Sequence, residues 1–221
     1  SGTPQAADVV RAVSPNLGRL HSLVIGCGLG RHPGILEGAM ALLRDAQKQG
    51  LPVVVDADGL QAVVDNPEAL AGADRVVLTP NVAEFRRLLS AVGVESEAAP
   101  LKDQLRQLVD KLRGPTVLLK GATDLVGLPN EEVLEFLEKG CPRRSGGFGD
   151  VLAGTLGTLV AWLRIRQGGT GPLDLGQAAG AASTLVRRSC NFAFQRHFRA
   201  TTAPNVLDEL GPAFQSISPA V

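Results

Sequence analysis

The amino-acid sequence predicts an α/β fold in which a mostly parallel sheet carries helices on both faces. Three observations lead there. Short apolar runs rich in β-branched residues alternate with segments whose apolar residues recur at helical spacing, the order expected of parallel strands joined by crossover helices. The strand candidates are apolar at consecutive positions, as strands covered on both faces must be. At 221 residues and 44% hydrophobic composition the chain can bury one large core, so a single domain over residues 1–221 is expected.

Taken in order, strands are expected at Ser22–Ile25, Pro52–Val55, Arg75–Leu78 and Thr116–Leu119. Between them, helical spacing marks Gly34–Gln49, Leu60–Asp65 with Pro67–Ala71, Asn81–Val92 and Leu101–Leu112. Asp124–Val126 and Glu132–Phe136 form a hairpin turning at Leu128-Pro129-Asn130. Helices over Phe148–Arg166, Leu173–His197 and Ala203–Phe214 close the chain, with the glycine-rich stretch 167–172 as a surface loop. No repeat, low-complexity tract or linker interrupts this order.

The charge balance narrows the partners. Lys+Arg and Asp+Glu are both 22, and the arginine pairs are scattered, so no nucleic-acid partner is expected. The longest apolar run, Val151 to Leu163, is too short for a bilayer and reads as a buried helix, so no membrane is expected either. Cys27, Cys141 and Cys190 lack CxxC spacing; neither a disulfide framework nor a structural zinc site is expected, and a reducing compartment is favoured. The three histidines show no ligand spacing. No basic segment followed by an apolar one stands at Ser1, so a secretory leader is not expected, and any targeting peptide lies upstream or has been removed.

The strongest chemical signal is Ser145-Gly146-Gly147-Phe148-Gly149-Asp150, which runs into an apolar helix. Glycines let backbone N–H groups turn toward a ligand, and the helix dipole adds positive potential at the same point, which suits phosphate. Asp150 in that position needs a reason, and taking a proton from an attacking hydroxyl is one. As a purely structural feature, an acid in a first helical turn also suits the dipole.

Ligands of open parallel sheets gather at the carboxyl ends of the strands, and each strand here ends in an unusual loop. These are Gly26-Cys27-Gly28-Leu29-Gly30, Asp56-Ala57-Asp58-Gly59, Thr79-Pro80-Asn81-Val82-Ala83-Glu84-Phe85 and Lys120-Gly121-Ala122-Thr123-Asp124. Singly, each has a plain structural explanation: a turn, a solvated lysine, or a capping arrangement of Asn81 with Glu84. Together on one sheet edge they surround a crevice with what a nucleotide, its phosphates and a metal ion need.

In this order the segments VIGCGLGR, VVVDADGL, LTPNVAEF, LLKGATD and SGGFGDVLAGTLG resemble the ribokinase-like superfamily, and within it the ATP- or ADP-dependent NAD(P)H-hydrate dehydratases. The resemblance runs from about His21 onward, and the tail from Cys190 to Phe214 is similar to the animal, ATP-using members. It implies a ribokinase-like fold and a repair reaction: ATP phosphorylates the ring hydroxyl of hydrated NADH or NADPH, phosphate leaves, and the intact cofactor returns. It further implies that Gly28 and Asn81, Val82, Ala83, Glu84, Phe85, Arg86 and Arg87 contact the hydrated dinucleotide. ATP would be held by Lys120, Gly121, Ala122, Thr123 and Asp124, and by Gly140, Cys141, Pro142, Arg143, Arg144, Ser145, Gly146, Gly147, Phe148 and Gly149. Asp150 would act at the reacting hydroxyl, and Mg2+ would ride on the phosphates, with no residue named as its ligand; Asn81 and Glu84 match the pattern with which ribokinase-like kinases organise metal and phosphate.

The resemblance also implies mitochondrial or cytoplasmic location. Its members begin with a glycine-rich strand and helix that this chain lacks, so the amino-terminal strands are expected to be missing, with an exposed apolar sheet edge that favours a homo-oligomer. Cys27 stands where the family has proline, and Phe148 where it has threonine or glutamine. Two other functions use the same residues: a ribokinase-like kinase for a small alcohol such as a vitamin precursor or sugar, and a catalytically silent nucleotide-binding remnant.

Overall fold

The computed structural model describes residues 4–94, 99–169 and 171–218. Its centre is a six-stranded sheet in sequence order: β1 (Leu23–Ile25), β2 (Val53–Val55), β3 (Val76–Leu78), β4 (Thr116–Leu119), β5 (Asp124–Gly127) and β6 (Val133–Phe136). The first four strands are parallel, and β5 and β6 return antiparallel. All the expected strands are present: β1, β2, β3 and β6 start one residue later than expected, β4 is as expected, and β5 runs one residue further, to Gly127.

The helices divide between two faces. α1 (Ala6–Val13), α2 (Pro33–Lys48), α3 (Asp58–Asp65), α4 (Val82–Ala91) and α5 (Leu101–Leu112) cover one; α6 (Phe148–Arg166), α7 (Leu175–His197), α8 (Ala203–Asp208) and α9 (Leu210–Ile217) cover the other. The period of two along each strand sorts its side chains accordingly. Val53, Val55, Val76, Leu78, Val117 and Leu119 enter the first core, whereas Val54, Val77 and Leu118 enter the second. Each such side chain buried is worth about 1.5–3 kcal/mol.

Four departures from the expected elements have identifiable causes. Ala203–Phe214 is two helices broken at Glu209, because Pro212 lacks an N–H for the carbonyl of Asp208 and its ring clashes there. α7 begins at Leu175, since Asp174 caps it by accepting from the Gln177 N–H at 2.9 Å. α1 and the 3-10 turn Ser14–Arg19 had no sequence signal beyond a short apolar face; they pack on α2, where Gly38 leaves room for Val9. The run Val151–Leu163 belongs to a 19-residue helix, which by length and composition alone is able to cross a membrane, contrary to the expectation that it is too short. Here Val151, Leu152, Leu156 and Val160 are buried in the second core, and Gly157 lets the helix lie against Val24. Of the loop 167–172, Thr170 lies outside the described residues.

β1 forms one edge of the sheet, and among the described residues no strand pairs with its outer side. Leu23 and Val24 are half-buried there.

Candidate active site

The carboxyl ends of β1, β2, β3 and β4 meet the start of α6, and glycines make that meeting possible. Gly26 has φ +121°, and a Cβ there would lie 1.8 Å from the carbonyl oxygen of Asp56. Gly59 approaches the same place, 3.1 Å from Gly26 Cα if given a Cβ. The first two loops are thereby pressed together backbone to backbone, which sets Cys27 beside Asp56. Gly26→Ala is expected to cost at least about 2 kcal/mol, since backbone strain and overpacking are each worth roughly 1–3. That lowers the melting temperature by about 4 °C or more; an unchanged thermal transition would contradict the close approach.

Asp56 is buried, and its Oδ1 accepts from Lys120 Nζ at 2.6 Å. A methyl group on Gly149 would sit 3.5 Å from Asp56 Oδ2 and 3.6 Å from Lys120 Nζ, so this pair lies directly under the start of α6. Gly147, at φ +87°, leads into α6 without a side-chain cap. The first N–H groups of a helix have no partner within it, and here the helix starts beside the lysine. An ammonium at the positive end of a helix is unfavourable by itself. Asp56 offsets it, and an anion arriving at the opening gains from both.

Asp150 is exposed in the first turn of α6. One carboxylate oxygen each from Asp56 and Asp150 and the sulfur of Cys27 lie within 4.8 Å of one another. Cys27 is exposed, yet its thiol is pushed up to about 12, first by desolvation and then by hydrogen bonding to Asp150 and the nearby carboxylates. At neutral pH it is a protonated donor to Asp150, and not a nucleophile.

The Lys120–Asp124 turn is fixed from behind by α7. Asp124 is buried; it accepts from the Gly121 N–H at 2.9 Å, Ser183 Oγ at 2.7 Å and the Arg187 guanidinium. Arg187 also donates to the carbonyls of Gly121, Ala122 and Glu138. Asp124 therefore shapes the turn and is not turned outward to a ligand. The backbones of Lys120 and Asn81 are bridged, with the Lys120 N–H on the carbonyl of Pro80 at 2.8 Å, which sets this turn next to the start of α4.

At that start, Asn81 and Glu84 form a capping box: Asn81 Oδ1 accepts from the N–H groups of Ala83 and Glu84, and Glu84 Oε2 accepts from the Asn81 N–H at 2.8 Å. Phe85 is fully buried in the first core, so its side chain is withdrawn from any ligand, contrary to the expected contact. Arg86 is exposed, and Arg87 reaches Gln61. In the 140–149 segment, Arg143 is committed to the carbonyl of Thr201 at 2.8 Å and Cys141 to that of Arg143, whereas Arg144 is exposed. Gly28, at φ +64°, is exposed on the first loop, which Asp58 ties down through the Gly30 N–H at 2.9 Å and Arg31. Of two residues central to this arrangement, Asp56 was expected only as one of the acids lining the crevice, with no individual role, and Arg187 had none. Asp56 carried a signal, an acid directly after three buried valines; Arg187, in mid-helix, carried none.

The family model described as NAD(P)H-hydrate dehydratase matches residues 3–212. The chain belongs to that family. It is 41% identical over 215 residues to the ATP-dependent (S)-NAD(P)H-hydrate dehydratase of Bos taurus, covering 95% of this chain and 64% of that protein. With the Homo sapiens protein of the same description it shares 38% identity, covering 95% and 61%, and with that of Drosophila melanogaster 40%, covering 95% and 66%. The chain thus spans a little under two thirds of the length of these relatives. Among solved structures, a ribokinase-like superfamily protein from Enterococcus faecalis superposes with TM-score 0.75 at 20% identity, covering 96% of this chain and 68% of that one. The ADP/ATP-dependent NAD(P)H-hydrate dehydratase of Bacillus subtilis, co-crystallised with ATP/Mg2+, superposes with TM-score 0.65 at 20% identity, covering 90% and 65%. These structures establish the ribokinase-like fold.

Proposed function

We propose that this chain restores hydrated NADH and NADPH by ATP-dependent dehydration, with the reaction centred on Asp150. The observation that carries this is the convergence of Asp150, the uncapped start of α6 and the Lys120–Asp56 pair on one opening, in a chain whose relatives are described as performing that reaction. Asp150 accepts the proton of the ring hydroxyl as its oxygen attacks the γ-phosphate. The α6 N–H groups and Lys120 balance the charge on the transferring phosphoryl group. ADP departs from the γ-phosphate, and the phosphorylated hydroxyl, now a good leaving group, departs as inorganic phosphate as its C–O bond breaks; the proton on the neighbouring ring carbon is lost to solvent and its C–H electron pair restores the ring double bond.

Cys27, donating to Asp150, orients the carboxylate. The Lys120–Asp124 turn and Arg144 lie along the triphosphate, and the exposed Gly28 and Arg86 lie along the dinucleotide. Mg2+ takes oxygen donors and rides mainly on phosphates. Glu84, whose Oε2 accepts from the Asn81 N–H, offers its second carboxylate oxygen, Oε1, as a donor to join it. When bound, the ion supplies charge neutralisation at the phosphates.

Arg187 acts through the turn it holds. Arg187→Lys keeps a charge beside Asp124 but is unable to span the three carbonyls, losing one or two hydrogen bonds of about 0.5–1.5 kcal/mol each. The expected result is a KM for ATP raised about tenfold at nearly unchanged kcat; a fall in kcat alone would remove the turn from ATP binding.

Phosphorus NMR of the products separates this reaction from that of a kinase for a small alcohol. Inorganic phosphate supports dehydration, and a stable phosphate ester supports the kinase. Self-association through the open side of β1 belongs to the same proposal and is checked by sedimentation; a monomer at all concentrations contradicts it. Residence in the mitochondrion or cytosol, where free thiols persist, is checked by fractionation, and recovery of the chain in a secretory compartment contradicts it.

A further inference from the structure

We propose that Cys27, Asp56 and Asp150 form a binding site for a thiophilic divalent ion such as Zn2+, and that its occupancy blocks the reaction centre. Three donors of two chemical kinds arrive from three separate segments: the loop after β1, the loop after β2 and the start of α6. Their ligand atoms lie within 4.8 Å of one another, and a small rotation of the two exposed side chains, Cys27 and Asp150, brings all three to the about 2.0–2.3 Å that thiolate and carboxylate donors take around zinc. The sulfur decides the kind of ion, because Mg2+ takes oxygen donors whereas thiolate selects softer metals.

Asp56 is buried and fixed by Lys120 through Oδ1, and its Oδ2 is turned toward the start of α6. Cys27 and Asp150 are both exposed, which provides an entry path and leaves a fourth position for water, as in zinc sites with three protein ligands. On binding, the S–H bond breaks, its proton passes to solvent and the sulfur–metal bond forms; no electrons are transferred. The Lys120 ammonium opposes the ion, so the affinity is moderate. Loss of turnover on occupancy rests on Asp150 being the base, whereas the binding itself does not.

The test is therefore binding in the absence of substrate. Titration of the protein with Cd2+ alone, followed by thiolate-to-cadmium charge-transfer absorbance, is expected to saturate at about one equivalent. The signal should disappear in Cys27→Ser, and Asp150→Asn should weaken binding at least about tenfold, which is about 1.4 kcal/mol. No signal in the wild type, or an unchanged signal in Cys27→Ser, which would move the ion to Cys141 and Cys190, overturns the proposal. Circular dichroism checks that Cys27→Ser folds. Should it not fold, the rate at which iodoacetamide labels Cys27 in the wild type, read by mass spectrometry, takes its place: Zn2+ must slow it, and an unchanged rate overturns the proposal.

Discussion

Asp150→Asn is expected to lower kcat by about 10²–10⁴-fold, the contribution of a positioned base, while ATP affinity stays close to that of the wild type. The amide keeps the shape of the carboxylate but is unable to take the hydroxyl proton. Stability provides the control. Asp150 is exposed and lies near the buried Asp56, so removing its charge relieves repulsion and breaks no ion pair. The lost favourable charge at the start of α6 opposes this relief, so the urea midpoint should stay close to that of the wild type. A variant that keeps more than about a tenth of the rate would place the base elsewhere.

Lys120→Met is expected to damage both fold and function. It leaves Asp56, whose side chain is 3% exposed, without its partner. Breaking a buried pair from one side costs about 3–5 kcal/mol, and because Lys120 is 20% exposed the lower end applies. For a chain of this length that is a fall of about 6–12 °C in melting temperature. ATP binding should weaken as well, because the cation facing the start of α6 is gone. The double variant Lys120→Met with Asp56→Leu, which removes the orphaned charge, is expected to recover most of the stability and none of the ATP affinity. Recovery of both would make Lys120 purely structural.

The layered fold was legible because burial writes itself into composition. β2 and β3 are covered on both faces, and so read as unbroken apolar runs, Val53–Val55 and Val76–Leu78. The start of α6 was legible for a different reason: within its glycine-rich lead-in, Gly147 takes φ +87°, a conformation other residues adopt only at a cost. Less visible were features decided by tertiary partners. Ala203–Phe214 keeps helical spacing through Glu209, and only the ring of Pro212 against the preceding turn breaks it. Asp124 and Phe85 sit inside segments with a binding signature, yet one is committed to Arg187 and Ser183 and the other to the core. A motif marks where a segment goes, and the partners across the fold decide which way each side chain points. The Lys120–Asp56 pair joins residues 64 positions apart, a distance no local pattern records.

The stoichiometry of turnover tests ATP-dependent dehydration at Asp150. Purified chain is mixed with hydrated NADPH, Mg2+ and limiting ATP, and the absorbance of the reduced nicotinamide is followed together with released phosphate. One NADPH restored and one inorganic phosphate released per ATP, with no recovery when ATP is omitted or in Asp150→Asn, is the predicted result. ATP consumed with no absorbance regained, or absorbance regained without ATP, would contradict it.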